Sequence, residues 1–123
     1  MKKILIIEDE KILSDMYTEK LYREGFKIVS ATTSSEGLRL AKKEKPELIL
    51  LDILLPKENG ISFLEKLRKN PKTANIKVLV FSNYDDPETK KKAKNLGVEN
   101  YLIKTNYTPK EMVERIREYL KND

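Results

Sequence analysis

The stretch Leu48-Ile49-Leu50-Leu51-Asp52 decides the fold. Four large apolar residues in succession do not suit a strand with one wet face. They suit a strand buried on both faces, as in a parallel sheet covered by helices. The run then stops on an acid. Working outward, the same form recurs: Ile4-Leu5-Ile6-Ile7 runs into Glu8-Asp9-Glu10, and Val78-Leu79-Val80-Phe81 runs into Ser82. Two shorter strand segments, about Lys27 to Ala31 and Asn100 to Ile103, bring the number to five.

Helical signals fall between and after these runs. The first, about Lys11 to Glu24, places Ile12, Met16 and Leu21 near one side and stops at Gly25, a C-cap signal. Thr33-Ser34-Ser35-Glu36 resembles a capping box for a second helix that carries Leu38, Leu40 and Ala41 and is terminated by Pro46. Pro56 to Gly60 is turn material. A third helix follows with Ile61, Phe63, Leu64 and Leu67, up to Asn70-Pro71. Asp86 can cap a fourth, with Pro87 at its first position and its end near Gly97. Thr108-Pro109-Lys110-Glu111 starts a fifth, whose stripe is Met112, Val113, Ile116 and Leu120. No linker or repeat interrupts the alternation. The pattern is (βα)5, an α/β fold with a doubly wound five-stranded parallel sheet and right-handed crossovers.

Composition narrows the chemistry. At 123 residues, with 37% charged and 39% hydrophobic residues, the chain fits one globular domain. No apolar stretch approaches the ~20 residues of a membrane span. The start MKKILII turns acidic too early for a signal peptide, so a cytoplasmic location is expected. Without cysteine or histidine there is no disulfide framework and no thiolate or imidazole site. Any metal must be a hard cation on oxygen ligands. The net charge is +5, and Lys90-Lys91-Lys92 with Lys94 is the densest basic cluster. No aromatic residues interleave it, so it reads as a solvated helix face rather than a nucleic-acid surface.

In such sheets ligands bind at the carboxyl ends of the strands, where the order reverses; the common order 2-1-3-4-5 puts that point between the first and third strands. Glu8, Asp9 and Asp52 then share one crevice. Close carboxylates repel unless a cation joins them, and magnesium takes oxygen ligands of this kind. Singly, each residue has an ordinary reading. Glu8, Asp9 and Glu10 favour the positive start of a helix, Asp52 is a strand-end acid, Ser82 a turn residue, and Lys104 a surface lysine. Together, acid, acid, hydroxyl and amine fall in turn at the ends of the first, third, fourth and fifth strands.

On Glu8-Asp9, the block Asp52-Ile53-Leu54-Leu55-Pro56 with Gly60, and Ser82, Tyr101 and Lys104, the chain resembles the receiver domains of the two-component response-regulator family. The resemblance spans essentially all of residues 1–123 as a single receiver domain of flavodoxin-like fold, similar to the chemotaxis regulators. It implies that Asp52 is the phosphoacceptor and that Glu8, Asp9, Asp52 and the backbone carbonyl of Leu54 hold Mg2+. It also implies that Ser82 hydrogen-bonds the phosphoryl group, that Lys104 pairs with it, and that Tyr101 is the switch aromatic. The donor would be a sensor histidine kinase or a histidine phosphotransfer protein, docking on the first helix and the loops around Asp52. Output would pass to a partner protein or effector domain through the face of the fourth helix, fifth strand and fifth helix, with homodimerisation on phosphorylation as one form. The residual enzymology would be slow self-phosphorylation and self-dephosphorylation.

Two departures from the family pattern are visible. Thr105 follows Lys104 where the family usually has a proline in a cis bond, and a cis bond before threonine costs ~2.5–4 kcal/mol, so none is expected. Asn83 is larger than the small residue usual there; by size it should narrow access to small phosphodonors, while Tyr84 could obstruct water. Three other classes compete. An aspartate-nucleophile phosphatase of haloacid-dehalogenase type wants a second acid where Leu54 stands. A flavin binder needs a phosphate loop where Glu8-Asp9-Glu10 would repel phosphate. A basic nucleic-acid-binding module rests on the net charge of +5 and the Lys90 cluster.

Overall fold

Alternation of side chains along each strand sorts the apolar runs into two cores. The structure, a computed structural model, describes residues 1–121, so Asn122 and Asp123 of the expected single domain lie outside it. The strands are β1 (Lys3–Ile7), β2 (Lys27–Ala31), β3 (Leu48–Leu51), β4 (Lys77–Ser82) and β5 (Asn100–Ile103). They pair in parallel in the order β2-β1-β3-β4-β5, as expected. The helices are α1 (Lys11–Arg23), α2 (Ser34–Glu44), α3 (Gly60–Lys69), α4 (Pro87–Asn95) and α5 (Pro109–Leu120).

On one face Ile4, Ile6, Leu48, Leu50, Leu79, Phe81 and Leu102 pack with Tyr17 and Leu21 of α1 and with Met112, Val113, Ile116 and Leu120 of α5. On the other, Leu5, Ile7, Ile49, Leu51, Val78 and Val80 pack with Ala41 of α2, Phe63, Leu64 and Leu67 of α3, and Ala93 of α4. The unbroken apolar runs therefore have the two-sided burial they imply.

The α1 face differs from the expected Ile12, Met16 and Leu21. Ile12 is 85% exposed and Met16 41%, while Ser14, Tyr17 and Leu21 are buried. At ~100° per residue, positions 12 and 21 lie on opposite sides of a helix. The inward stripe runs instead through the half-buried Leu13, then Tyr17 and Leu21. Helix ends follow the local chemistry more closely. Thr33 Oγ1 accepts the Glu36 N–H, Asp86 accepts that of Thr89, and Thr108 with Glu111 makes a reciprocal capping box. Asn59, inside the expected turn, caps α3 through the Ser62 N–H at 3.0 Å. α2 ends at Glu44, with Lys45, the residue before Pro46, as its cap in a left-handed conformation, as the proline implies. No cis peptide bond occurs among the described residues, so Lys104–Thr105 is trans as expected.

A guanidinium that the sequence does not single out braces this frame. Arg68 of α3 donates to the carbonyls of Leu96 (2.8 Å), Ala74 (3.0 Å), Ile76 (2.6 Å) and Gly97 (3.3 Å). It thereby satisfies carbonyls at the end of α4 that have no helical partner and joins α3, α4 and the approach to β4.

Gly60 matters to the β3–α3 loop that carries Asp52. Its N–H donates to Ile53 O at 2.8 Å. An added Cβ would meet Ile53 Cα at 2.8 Å and Asp52 O at 3.0 Å, both backbone atoms. Gly60→Ala should therefore destabilise by about 1–3 kcal/mol, measured as a lower urea midpoint with an unchanged slope; a midpoint equal to wild type would show that the loop yields freely.

Candidate functional site

Register places the chemistry. Ile7 pairs with Leu51, so the next residues, Glu8 and Asp52, emerge side by side. The ladder runs on to hold them: Glu8 N donates to Ala31 O and Asp52 N to Ile7 O, each at 3.0 Å. Counting by two, Glu8 follows Ile6, Asp52 follows Leu50 and Lys104 follows Leu102, all members of the first core. Two-residue alternation thus brings acid, acid and amine to one side of the sheet.

The three form one hydrogen-bonded group. Lys104 Nζ donates to Glu8 Oε1 and, at 2.7 Å, to Asp52 Oδ2. Ser82 Oγ donates to Asp52 Oδ1 at 2.6 Å, and Leu54 N donates to the same oxygen at 3.1 Å. Glu8 Oε2 accepts the Glu10 N–H at 3.0 Å. Glu8 is 2% exposed, Asp52 6% and Ser82 0%, whereas Asp9 is exposed. Burial pushes the Glu8 carboxyl above its usual range, although Lys104 and the Glu10 N–H act the other way. Burial also works against the Lys104 ammonium, but its hydrogen bonds to Asp52 and Glu8 outweigh that and its pKa is raised. Lys104 is therefore a fixed positive charge at neutral pH.

Glu8, Asp9 and Asp52 each offer a carboxylate oxygen within 4.8 Å of the others. Three acids beside one amine leave the hollow negative, and an all-oxygen donor set of this kind fits a hard divalent cation. Leu54 presents its N–H to Asp52 and turns its side chain outward, 52% exposed.

Ser82, Tyr84 and Tyr101 are linked in turn. Tyr84 N donates to Ser82 Oγ at 3.2 Å, and Tyr101 Oη donates to Tyr84 O at 2.5 Å. Lys90 of α4 pairs with Asp85 and sits 6.0 Å from the Tyr101 ring centroid. Every expected site residue thus lies in or beside one hollow. At the site, one group escaped the sequence reading, as did one contact of a residue it had singled out. Tyr17 packs edge-on to Phe81 at 5.6 Å between ring centroids and feels the charges of Lys104, Glu8 and Asp52; the correct α1 stripe would have found it. Asn83 accepts the Thr105 N–H at 3.1 Å, and backbone partners leave no mark in a sequence.

Burial, then the charges of Asp52 and Asp85, push the Tyr101 phenol from 10.0 up to about 12. A phenol raised on folding leaves stability untouched below its ordinary value, and the contribution is lost as pH rises through the folded value. An ultraviolet pH titration of the protein, which has six tyrosines, should show a late step near 12 that Tyr101→Phe removes. Its titration alongside exposed tyrosines would contradict the placement of its hydroxyl.

Comparisons with known proteins place the chain in a family. The family model described as the response regulator receiver domain matches residues 4–117. The DNA-binding dual master transcriptional regulator RpaA of Synechocystis sp. is 33% identical over 98% of this chain and 50% of its own length. The alkaline phosphatase synthesis transcriptional regulatory protein PhoP of Bacillus subtilis is 32% identical over 98% of this chain and 49% of its own. The chain spans about half the length of these curated relatives. The crystal structure of a CheY-like response regulator receiver domain protein from Methanospirillum hungatei matches with a TM-score of 0.92 and 31% identity, covering 99% of this chain and 95% of that one. The chain belongs to the response regulator receiver domain family.

Proposed function

We propose that this chain is a phosphoryl-accepting switch whose acceptor is Asp52, taking the group from a histidine kinase or a histidine phosphotransfer protein. The observation that carries the reading is the environment of one carboxylate. Asp52 is nearly buried, yet a hydroxyl, an amine and a backbone N–H reach its two oxygens. An aspartate oxygen attacks the phosphorus of a phosphohistidine, the P–N bond breaks, and the imidazole leaves with the electron pair. A weak nucleophile needs placement and charge compensation for this step. Lys104 supplies a compact cation on a flexible stem. Ser82 supplies one donor, so the hydroxyl and ammonium now on Asp52 can move to the oxygens of the phosphoryl group.

Glu8, Asp9 and Asp52, with the Leu54 carbonyl, would hold Mg2+, which when bound supplies positive charge against the phosphoryl oxygens. Receivers are signalling switches rather than metabolic enzymes, and slow self-phosphorylation and self-dephosphorylation would be the only turnover. Ile12 and Met16 of α1 and Leu54 beside Asp52 are apolar and exposed, which suits donor docking at that end. Output is assigned to the α4–β5–α5 face, with Lys90, Tyr101, Arg115 and Arg117, toward a partner protein, an effector domain or a second copy. Lys90 is already paired with Asp85, which weakens the case for direct nucleic-acid contact, and Leu54 offers no second acid for phosphatase chemistry. No helix among the described residues is long and apolar enough to cross a membrane.

Acetyl phosphate with magnesium should add one phosphoryl group to the intact chain, and Asp52→Asn should abolish the mass increment. Equal labelling of the variant would move the acceptor elsewhere. Magnesium at a hundred times its dissociation constant should stabilise the protein by about 2.7 kcal/mol, seen as a rise in the thermal midpoint. Asp9→Asn, at an exposed position, should lose most of that rise while unfolding normally without the ion. A rise undiminished in Asp9→Asn would place the ion outside the acidic hollow.

A further inference from the structure

Pairing of β4 with β5 ends at the rung Ser82↔Ile103. The two groups that reach Asp52 from these strands lie at and just beyond that rung: Ser82 closes β4, and Lys104 begins the 3-10 turn Lys104–Asn106. Past the rung one side chain spans the gap. Asn83 Oδ1 accepts the N–H of Thr105 at 3.1 Å. That N–H belongs to the peptide unit joining Lys104 to Thr105, and Asn83 is bonded directly to Ser82. A single carboxamide thus ties the residue after the hydroxyl to the residue after the amine. It adds a rung to the sheet where the backbones have separated.

We propose that Asn83 is a positioning residue for phosphoryl capture, setting the Ser82 hydroxyl and the Lys104 ammonium at a fixed separation over Asp52 without touching the reacting atoms. The inference rests on Asp52 being the phosphoacceptor. The need for such a tie follows from the lysine itself. Its four-carbon stem is flexible, so the ammonium is placed by its carboxylate partners and by the backbone from which it springs. That backbone has left the ladder and entered a turn. A proline at 105 would have no N–H to give; threonine has one, and Asn83 takes it. Positioning of this kind acts on the rate of the chemical step rather than on donor binding.

Size alone gives the opposite sign, because a smaller residue at 83 opens the mouth of the hollow. The two readings separate in labelling kinetics with acetyl phosphate at saturating magnesium, followed by intact mass for wild type, Asn83→Ala, Asn83→Leu and Asn83→Asp. Removing the acceptor oxygen in the Ala and Leu variants should lower the limiting rate about five- to tenfold and leave the half-saturating donor concentration unchanged. Asn83→Asp keeps an acceptor and should restore the limiting rate, with a higher half-saturating concentration because its charge repels the donor. Amide exchange at Thr105 should quicken in the Ala and Leu variants and not in Asp. A limiting rate in Asn83→Ala equal to or above wild type, or an Asn83→Asp protein as slow as Asn83→Leu, would overturn the positioning role. Absence of any Asp52-dependent labelling in wild type would instead overturn the acceptor reading on which it rests.

Discussion

Two carboxylates from neighbouring strands share one ammonium. That contact, Lys104 to Glu8 and Asp52, is the constraint around which the carboxyl end of the sheet is organised. Isolated buried charges are costly, and the sheet register offers no way to separate Glu8 from Asp52. Lys104 balances one of the two charges, and Asp9, out in solvent, adds to the negative charge that remains. The arrangement depends on that partial balance. A change of charge on Asp52 alters what Lys104 and Ser82 hold. For a switch this is a useful property, because a ligand shifts a conformational equilibrium only through contacts that differ between its states.

A chain of contacts leads away from Asp52 along which the proposed switch would act. Ser82, Asn83 and Tyr84 are consecutive, and each is fastened to a different place. Ser82 reaches Asp52, Asn83 reaches Thr105, and the Tyr84 carbonyl receives the Tyr101 hydroxyl. Ser82 thus begins a segment tied both to the end of β5 and to the half-buried tyrosine on it. Lys90, paired with Asp85 and set over the Tyr101 ring, extends the linkage into the first turn of α4. The contacts made by Ser82, Asn83 and Tyr84 are short in space although their partners lie 17 to 30 residues apart in sequence.

Much of this was legible in the sequence because the governing rules are periodic or local. Strands buried on both faces leave unbroken apolar runs, helix starts leave Thr33, Asp86 and Thr108, and strand-end placement collects Glu8, Asp52, Ser82 and Lys104. What failed was of two kinds. On α1 the apolar letters Ile12 and Met16 drew attention from the inward stripe. The buried Tyr17 is amphipathic, and it reads as surface or core with equal ease. The other losses involve main-chain partners. Arg68 gives its donors to four carbonyls, and Leu54 and Thr105 act through N–H groups that nearly every residue possesses. Side-chain type cannot announce a role played by the backbone.

The distribution of burial indicates where a change at the hollow meets least resistance. Large side chains contribute roughly 1.5–3 kcal/mol each when fully buried. α5 buries Met112, Val113, Ile116 and Leu120, and α3 buries Phe63, Leu64 and Leu67 besides Gly60; α4 buries only Ala93. Its C-terminal end is nonetheless pinned, since Arg68 of α3 holds the Leu96 and Gly97 carbonyls. Its N-terminal end continues from the segment 82–86 that answers to Asp52. α2 has an equally small apolar anchor in Ala41, but α4 is the one that is fixed at its far end and joined to the hollow at its near end. That asymmetry, rather than any special property of the lysines it displays, supports the proposal that α4 and the β5 edge beside it form the responsive surface.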